Sequence, residues 1–402
     1  EVAMTSPQGP VYLTLPREPL AAPVDGPIEP ARPQARPAAP SPDAASIETL
    51  AAWIAGAERP VLITAASGRS AAAVGTLGAF AERWAIPVVS YFSRYLNLPH
   101  SHPMHQGYEP GAFFADADLV IALESEVPWI PAEHTLHETC KVAHIGEDPA
   151  FVRYPIRSFR SDLSIVSEAS NALRALDAAV ARAKPEASKI DARRKQLTAR
   201  GNERRVKAAR AAESAGDKIT VPYLSKCIAD MACDEAVIFN EYPLSLDHCP
   251  REKPGTYFGT STSGGLGWGL GAALGAKLAA PEKLVVATLG DGTYMFTNPT
   301  VSHWVGMKHE LPVLTIIFNN SRYGAVRRAT LSMFKEGVAG EDDGRFLADL
   351  DPSPPYEEFV RAQGGFGERV SDPKEVPAVL ARARDEVMKE KRQALVNVIT
   401  PY

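Results

Sequence analysis

Short unbroken apolar runs alternate with longer stretches in which apolar residues recur every three or four positions, and this alternation covers most of the chain. Runs of the first kind predict strands buried on both faces, as in a parallel sheet; stretches of the second kind predict helices packed against it. From Ser46 the order is a helix over 47–57, a strand at 60–64, a helix over 70–84, and strands at 87–90, 118–123 and 142–145. Two helical stretches follow between 169 and 215. A second pattern of the same kind starts at Ile219, with a helix over 221–232, a strand at 236–239, a helix opening at 262–269 and running through Ala279, and strands at 284–289 and 312–318. Helices over 356–363 and 374–390 and a strand at 394–399 close the chain. Strands alternating with helices in this way predict an α/β fold of two doubly wound parallel-sheet domains.

The first 45 residues break the pattern. Gly9-Pro10-Val11-Tyr12-Leu13-Thr14-Leu15-Pro16 reads as a buried strand bounded by turn residues. With only Glu1 to Gln8 before it, it is expected to be the last strand of a domain whose body is missing from this chain. Nine prolines between residues 16 and 42 suit an extended linker crossing a surface. The expected organisation is therefore the end of one domain at 1–18, a Pro/Ala-rich linker at 19–45, a middle Rossmann-like domain at 46–184, a helical linker at 185–217 and a final domain at 218–402. The segment 188–214 carries nine Lys or Arg against three acids and reads as a solvated connecting helix rather than a nucleic-acid surface.

Composition narrows this little. Of 402 residues, 45% are hydrophobic and 23% charged, and the net charge of -5 argues against a general nucleic-acid binder. No apolar run approaches the ~18 residues of a membrane span, and the start lacks a signal-peptide pattern. Cys140, Cys227, Cys233 and Cys249 have no metal-ligand spacing and read as buried reduced thiols of a cytoplasmic protein. Ser67-Gly68-Arg69-Ser70, at a strand-to-helix junction, reads as a plain turn ahead of a phosphate site.

The chemistry concentrates where two apolar runs end in Gly290-Asp291-Gly292-Thr293 and in Asn319-Asn320-Ser321-Arg322-Tyr323-Gly324. A carboxylate and an amide oxygen held by rigid neighbouring strands suit a small hard cation such as Mg²⁺, which completes its shell with phosphate and water. Glycines flanking Asp291 allow backbone N–H groups to approach an anion, and a following helix points its amino end at it. Chance would produce the two turns at about this spacing in roughly one such chain in a thousand at average residue usage.

The two turns, with 26 residues between Gly292 and Asn319, resemble the signature of thiamine-diphosphate-dependent enzymes. The resemblance runs along the whole chain: residues 9–18 are similar to the end of that superfamily's pyrimidine-binding domain, the middle domain to its middle domain, and 218–402 to its pyrophosphate-binding domain. It is strongest to the branch of acetolactate synthase, benzoylformate decarboxylase and 2-hydroxyacyl-CoA lyase. It implies thiamine diphosphate and Mg²⁺ as cofactors, with Asp291, the Asn320 side chain and the Arg322 carbonyl as metal ligands. Gly290, Gly292 and Thr293 would hold the diphosphate, and Arg322, Tyr323 and Gly324 of the second turn would also contact the cofactor. Ser263-Gly264-Gly265-Leu266-Gly267-Trp268-Gly269 resembles the family's glycine-rich run. There the Gly264 carbonyl would accept from the aminopyrimidine amine, Gly265 would also bind the cofactor, and Leu266 would prop the cofactor in its bent shape. Asn240-Glu241-Tyr242 resembles another diphosphate-contacting loop.

The resemblance implies decarboxylase or carboligase chemistry, as a lyase or transferase, on a 2-oxo acid. The alternatives are a lyase or decarboxylase of 2-hydroxyacyl-CoA or oxalyl-CoA-like thioesters, and a non-catalytic cofactor-binding subunit of a split enzyme. A homodimer or homotetramer is implied. The activating glutamate is expected from a pyrimidine-binding domain in a missing N-terminal segment or a separate chain, and no residue here is assigned to it. FAD is not expected, because Glu124-Ser125-Glu126-Val127-Pro128-Trp129 stands where flavin-holding relatives carry an Arg-containing run. His100, His102 and His105 read as part of a proline-rich turn. Tyr294, Met295, Tyr323, Arg327 and Arg328 are the candidates to face substrate.

Overall fold

The computed structural model describes every residue except 33, 158, 214–215, 261–263, 342–347 and 402. The first sheet is built from β1 (Pro60–Thr64), β2 (Val88–Val89), β3 (Leu119–Leu123), β4 (Lys141–Gly146) and β5 (Leu163–Val166). All its strands pair in parallel, in the order β2-β1-β3-β4-β5. Every residue of β1 and β3 is buried, which is why both read as unbroken apolar runs. The helices Ala44–Gly56, Ala71–Trp84 and Ala169–Ala183 cover one face and share a core with the sheet through Leu50, Leu62, Leu77, Ile121 and Leu176. Asp43 and Ser70 cap the first two of these helices by accepting from Ser46 N and Ala73 N.

The second sheet comprises β6 (Val237–Glu241), β7 (Tyr257–Gly259), β8 (Val285–Gly290), β9 (Leu314–Asn319), β10 (Phe366–Val370) and β11 (Ala394–Ile399), in the all-parallel order β10-β11-β9-β8-β6-β7. The chain leaves β6 toward the β7 edge and leaves β8 toward β9. The crevice between β6 and β8 is therefore the topological switch point, where open α/β sheets bind ligands beyond the strand carboxyl ends. Glu241, Gly290 and Asn319 are the last residues of the three strands that meet there.

The expected strand at 9–16 does not form. That stretch has no regular structure, and Val11, Tyr12, Leu13 and Leu15 are 54–92% exposed. A strand needs a neighbour for its backbone N–H and C=O groups, and this segment pairs with no strand of either sheet. The linker itself holds a short helix, Arg17–Ala21. Strands β5, β7 and β10 lie outside the sequence expectation. Each is an edge or near-edge strand, short or of mixed polarity, and so lacks an unbroken apolar run.

The basic Ala187–Ala211 helix is less solvated than its charge suggests. Arg193 donates from Nε to Ala85 O (2.8 Å), from Nη1 to Ala57 O (3.0 Å) and from Nη2 to Trp84 O (2.8 Å). Arg194 reaches Glu82 O and Arg83 O. These are orphan carbonyls at the carboxyl ends of the Ala44–Gly56 and Ala71–Trp84 helices, which need such donors. Farther along, Arg204 pairs with Asp247 of the second domain. The two domains also meet where Gly259 N donates to Arg94 O (2.9 Å); a Cβ on Gly259 would lie 2.1 Å from Ser93 O.

The Ser67–Ser70 turn is closed from within. Asn97 Oδ1 accepts from Ser67 Oγ (3.2 Å) and Gly68 N (2.9 Å), while Ser70 serves as a helix cap. Cys140, Cys227 and Cys249 are buried free thiols, but Cys233 is exposed in the turn after the Val221–Met231 helix, contrary to its expected burial. No described helix is long and apolar enough to cross a membrane.

Candidate active site

Asp291 and Asn320 come together because β8 and β9 are neighbours in register, with Gly290 opposite Phe318. Asp291 is 2% exposed. Its Oδ1 accepts from Gly292 N (2.9 Å) and its Oδ2 from Arg322 N (3.2 Å). The same Arg322 N–H also points at Asn320 Oδ1 (3.0 Å), so the carboxylate and the amide oxygen face one point. Asn319 does the opposite: its Nδ2 donates to Ser353 Oγ (2.8 Å) and Asn397 Oδ1 (3.0 Å), and its Oδ1 accepts from Ser321 N (3.0 Å), all toward the core. Burial pushes the Asp291 carboxyl above the usual range, against the pull of several N–H donors. No ion pair reaches it among the described residues. A carboxylate so placed gains from a nearby cation, and with Asn320 and a main-chain carbonyl it offers the hard-oxygen donor set that Mg²⁺ takes. The residues therefore fit such an ion.

Glycine is required at 292 by packing as well as by any ligand, since a Cβ there would lie 2.7 Å from Tyr323 Cε1. Gly290 caps the Asp291–Phe296 helix, with Thr293 buried in its first turn. Gly324 opens the Gly324–Met333 helix. Arg322 is tied to Asp349 by a backbone bridge and by a 2.8 Å Nε–Oδ1 pair. Tyr323 N donates to Ala348 O (2.8 Å) and Leu350 N to Ser321 O (2.7 Å), so the 348–350 segment borders the turn.

Of the expected substrate-facing residues, Tyr294 does not qualify. It is fully buried, and its hydroxyl shares a 2.9 Å hydrogen bond with His303 Nε2, which Gln393 braces from behind. Met295 and Tyr323 remain at the surface of the site, and Phe296, absent from the expectation, lies beside Tyr323 with ring centroids 6.3 Å apart. Its signal was its place beside Met295 on the outward side of a helix whose Tyr294 faces in. Arg327 donates from Nη2 to Ala339 O (3.2 Å), and Arg328 is an exposed surface charge.

The glycine-rich run is a loop, and its helix starts at Gly269 rather than near 262. Gly264 and Gly267 hold φ of +68° and +98°, in the left-handed region where a helix cannot propagate. Thr262 and Ser263 lie outside the described residues. No atom beyond their chain neighbours lies within 4 Å of a Cβ built on Gly264 or Gly265, so this part of the loop is open. Leu266 is 41% exposed and Trp268 38%, so Leu266 is a loop side chain at the surface and not part of the core.

In the loop expected to contact a diphosphate, the Asn240 and Glu241 side chains are engaged by the protein itself. Asn240 Nδ2 donates to Leu244 O (3.1 Å) and Tyr257 Oη (3.2 Å), and its Oδ1 accepts from Leu244 N and Thr288 Oγ1. All of these bonds brace the loop after β6. Glu241 is fully buried, with its carboxylate engaged by the main chain of residues 267–269. A second anion would find no welcome beside it. Tyr242 is exposed, in a left-handed conformation with φ +67°.

Residues 243–398 match the family described as thiamine pyrophosphate enzyme, C-terminal TPP binding domain, and residues 47–176 match thiamine pyrophosphate enzyme, central domain. The chain is 33% identical over 147 residues to the acetolactate synthase large subunit of Mycobacterium tuberculosis, covering 37% of this chain and 24% of that protein. Along 96% of its length it is 28% identical to the acetolactate synthase large subunit of Corynebacterium glutamicum, of which it spans 62%. In three dimensions it resembles benzoylformate decarboxylase from Polynucleobacter necessarius, with a TM-score of 0.75 at 22% identity, over 99% of this chain and 72% of that one.

Proposed function

Because the chain belongs to the thiamine pyrophosphate enzymes and carries their central and C-terminal TPP-binding domains, we propose that it holds thiamine diphosphate and Mg²⁺ for cleavage or formation of a C–C bond in a 2-oxo acid. The observation that carries the proposal is the buried Asp291 carboxylate, which faces the same N–H as the Asn320 amide oxygen at the carboxyl edge of a parallel sheet. Asp291, Asn320 and the Arg322 carbonyl would hold the metal, and Gly290, Gly292 and Thr293 the diphosphate. The Gly264 carbonyl would orient the aminopyrimidine, and Leu266 would fix the cofactor's shape. Bound there, thiamine diphosphate supplies a carbanion equivalent that attacks a carbonyl, and a sink for the electrons of the broken bond. The chain's own part is orientation and charge compensation: a desolvated carboxylate strengthens the metal's hold, and rigid strand ends fix the ligands in advance.

The acetolactate synthases among its similar proteins support the 2-oxo acid reading, while 30% identity over 154 residues to the 2-hydroxyacyl-CoA lyase of Oryza sativa supports the thioester reading as the second. The acidic Glu124–Trp129 turn, with Trp129 packed between Phe114 and Phe159, supports a site without FAD. Leu266, Trp268, Met295, Phe296, Val301 and Trp304 leave apolar surface exposed around the site. We read that surface as the seat of a pyrimidine-binding domain, from a preceding segment or a separate chain, within a homodimer or homotetramer. The assembly containing this chain, purified with the partners it carries, is expected to release CO₂ from a 2-oxo acid only when Mg²⁺ and thiamine diphosphate are present. Turnover confined to acyl-CoA substrates would transfer the assignment to the thioester alternative. Cofactor binding without any turnover would leave the non-catalytic subunit.

A further inference from the structure

Glu241 is the last residue of β6, and none of it reaches solvent. A carboxylate in such a place needs compensation, yet no Lys, Arg or His forms an ion pair with it among the described residues. Its partners are three consecutive backbone N–H groups. Oε1 accepts from Gly267 (2.7 Å) and Trp268 (3.1 Å), and Oε2 from Gly269 (2.5 Å). Trp268 and Gly269 carry orphan donors at the start of the Gly269–Ala279 helix, and the Gly267 N–H lies just before its N-cap. The loop is held from its other side by packing: Gly267 sits in the left-handed region, where a Cβ would lie 2.6 Å from Phe296 O, and one on Gly269 would meet Leu289 Cδ2 at 2.7 Å. The run from Gly264 to Gly269 is thus clamped at residues 267–269 and open at 264–266, with Leu266 the first residue beyond the clamp.

We propose that Glu241 is a positioning residue that sets the Gly264–Leu266 segment over the site by anchoring the three N–H groups that follow it. The proposal rests on the cofactor reading above and extends it in two ways. Glu241 spans the switch point, joining the end of β6 to the loop that borders the end of β8, so the height of Leu266 above the sheet is fixed by a strand and not by the loop's own stiffness. Its negative charge also occupies the positive end of the Gly269–Ala279 helix. That end is closed to a diphosphate, which leaves the anion to the Gly290–Thr293 turn.

Two probes separate positioning from general stability: thiamine diphosphate, which extends to the glycine loop, and inorganic pyrophosphate, which fills only the anion turn. Both are titrated calorimetrically with Mg²⁺ into the full chain. Glu241→Gln removes the charge and places an amide NH₂ against N–H donors. It is expected to weaken thiamine diphosphate at least 10-fold while pyrophosphate stays within about 2-fold, since only one probe reaches the loop. Gly267→Ala, which disturbs the same loop from its packed side, is expected to show the same selectivity, and Glu241→Asp to fall between wild type and Glu241→Gln. Equal affinity of wild type and Glu241→Gln for both probes overturns the proposal. So does an equal loss of both, which would make Glu241 a support for the domain alone. Wild type that binds neither probe, alone or in the assembly with the partners it carries, overturns the cofactor reading, and the role of Glu241 with it.

Discussion

Asn319 and Asn320 are neighbours in sequence with opposite duties. Asn319 ties β9 to β11 and to Ser353 from inside the core, whereas Asn320 turns its amide oxygen to the point Asp291 faces. Asn319→Ala is therefore expected to cost about 1–3 kcal/mol of stability by orphaning buried partners. Asn320→Ala should leave stability nearly unchanged and weaken Mg²⁺-dependent cofactor binding, as paired melting and calorimetry would show; the reverse ranking would exchange their roles. Another residue carries a pH signature. Burial raises the Glu124 carboxyl to about 7. The folded chain then holds a proton that the unfolded chain releases near its ordinary ~4.3. Stability is lost as pH climbs through that window, by on the order of 1–3 kcal/mol. Glu124→Gln should gain on the wild type between pH 5 and pH 8 in melting temperature; parallel curves would refute the shift. Asp291 and Asn320 were legible because turn residues at the ends of apolar runs point to one sheet edge. The duty of Glu241 was not, because a carboxylate at a strand end has the same letter whether it meets a ligand or a helix N-terminus.

Elements were legible in proportion to their apolar continuity. β1, β3, β8 and β9 are buried along nearly their whole length and stood out as unbroken runs. The sequence Phe366-Gly367-Glu368-Arg369-Val370 of β10 has no such run, and its pairing to β11 is set by the sheet and not by its own residues. The expected strand at 9–16 failed for the complementary reason: its residues suit a strand, but strand formation is a property of pairs. The Ala187–Ala211 helix shows charge serving structure. Arg193 satisfies three carbonyls at two helix ends, a geometry a guanidinium reaches and an ammonium does not. Arg193→Lys is expected to cost about 2 kcal/mol, close to the cost of Arg193→Met, by denaturant unfolding. Full rescue by lysine would show that charge alone mattered.

Across the whole molecule, the middle domain meets the second domain through buried histidines. His100 is held down to about 4 by burial first and by Arg204 and Arg205 next, and burial and Arg204 likewise hold His105 well below its ordinary value. Their surroundings include Tyr108, Asp247 and His248, with His100 N donating to Arg251 O across the interface at 3.0 Å. Both rings are neutral in the folded state and charge more readily when unfolded. Their contribution is complete above about 6.5 and is lost as pH falls toward 4. Hydrogen exchange at residues 100–108 and 245–252 should accelerate at pH 5.5 relative to pH 7 beyond the intrinsic change; unchanged protection would count against it. The same scale sets the limit of the site. In the reading proposed above, this chain supplies the anchor for metal and diphosphate and another segment or chain the activating glutamate, so the 402-residue chain by itself is expected to be inactive. Turnover without a supplied pyrimidine-binding domain would contradict that division of labour.

In the proposed function, Asp291 holds the metal that holds the cofactor. Calorimetric titration of thiamine diphosphate into wild type and Asp291→Ala, with and without Mg²⁺, tests it directly. Removing a desolvated ligand carboxylate costs about 2–4 kcal/mol, or roughly 30- to 1,000-fold in affinity. Binding by the wild type that requires Mg²⁺ and falls by that much in Asp291→Ala is the predicted result. Equal affinity in the two proteins, or binding indifferent to Mg²⁺, would contradict it.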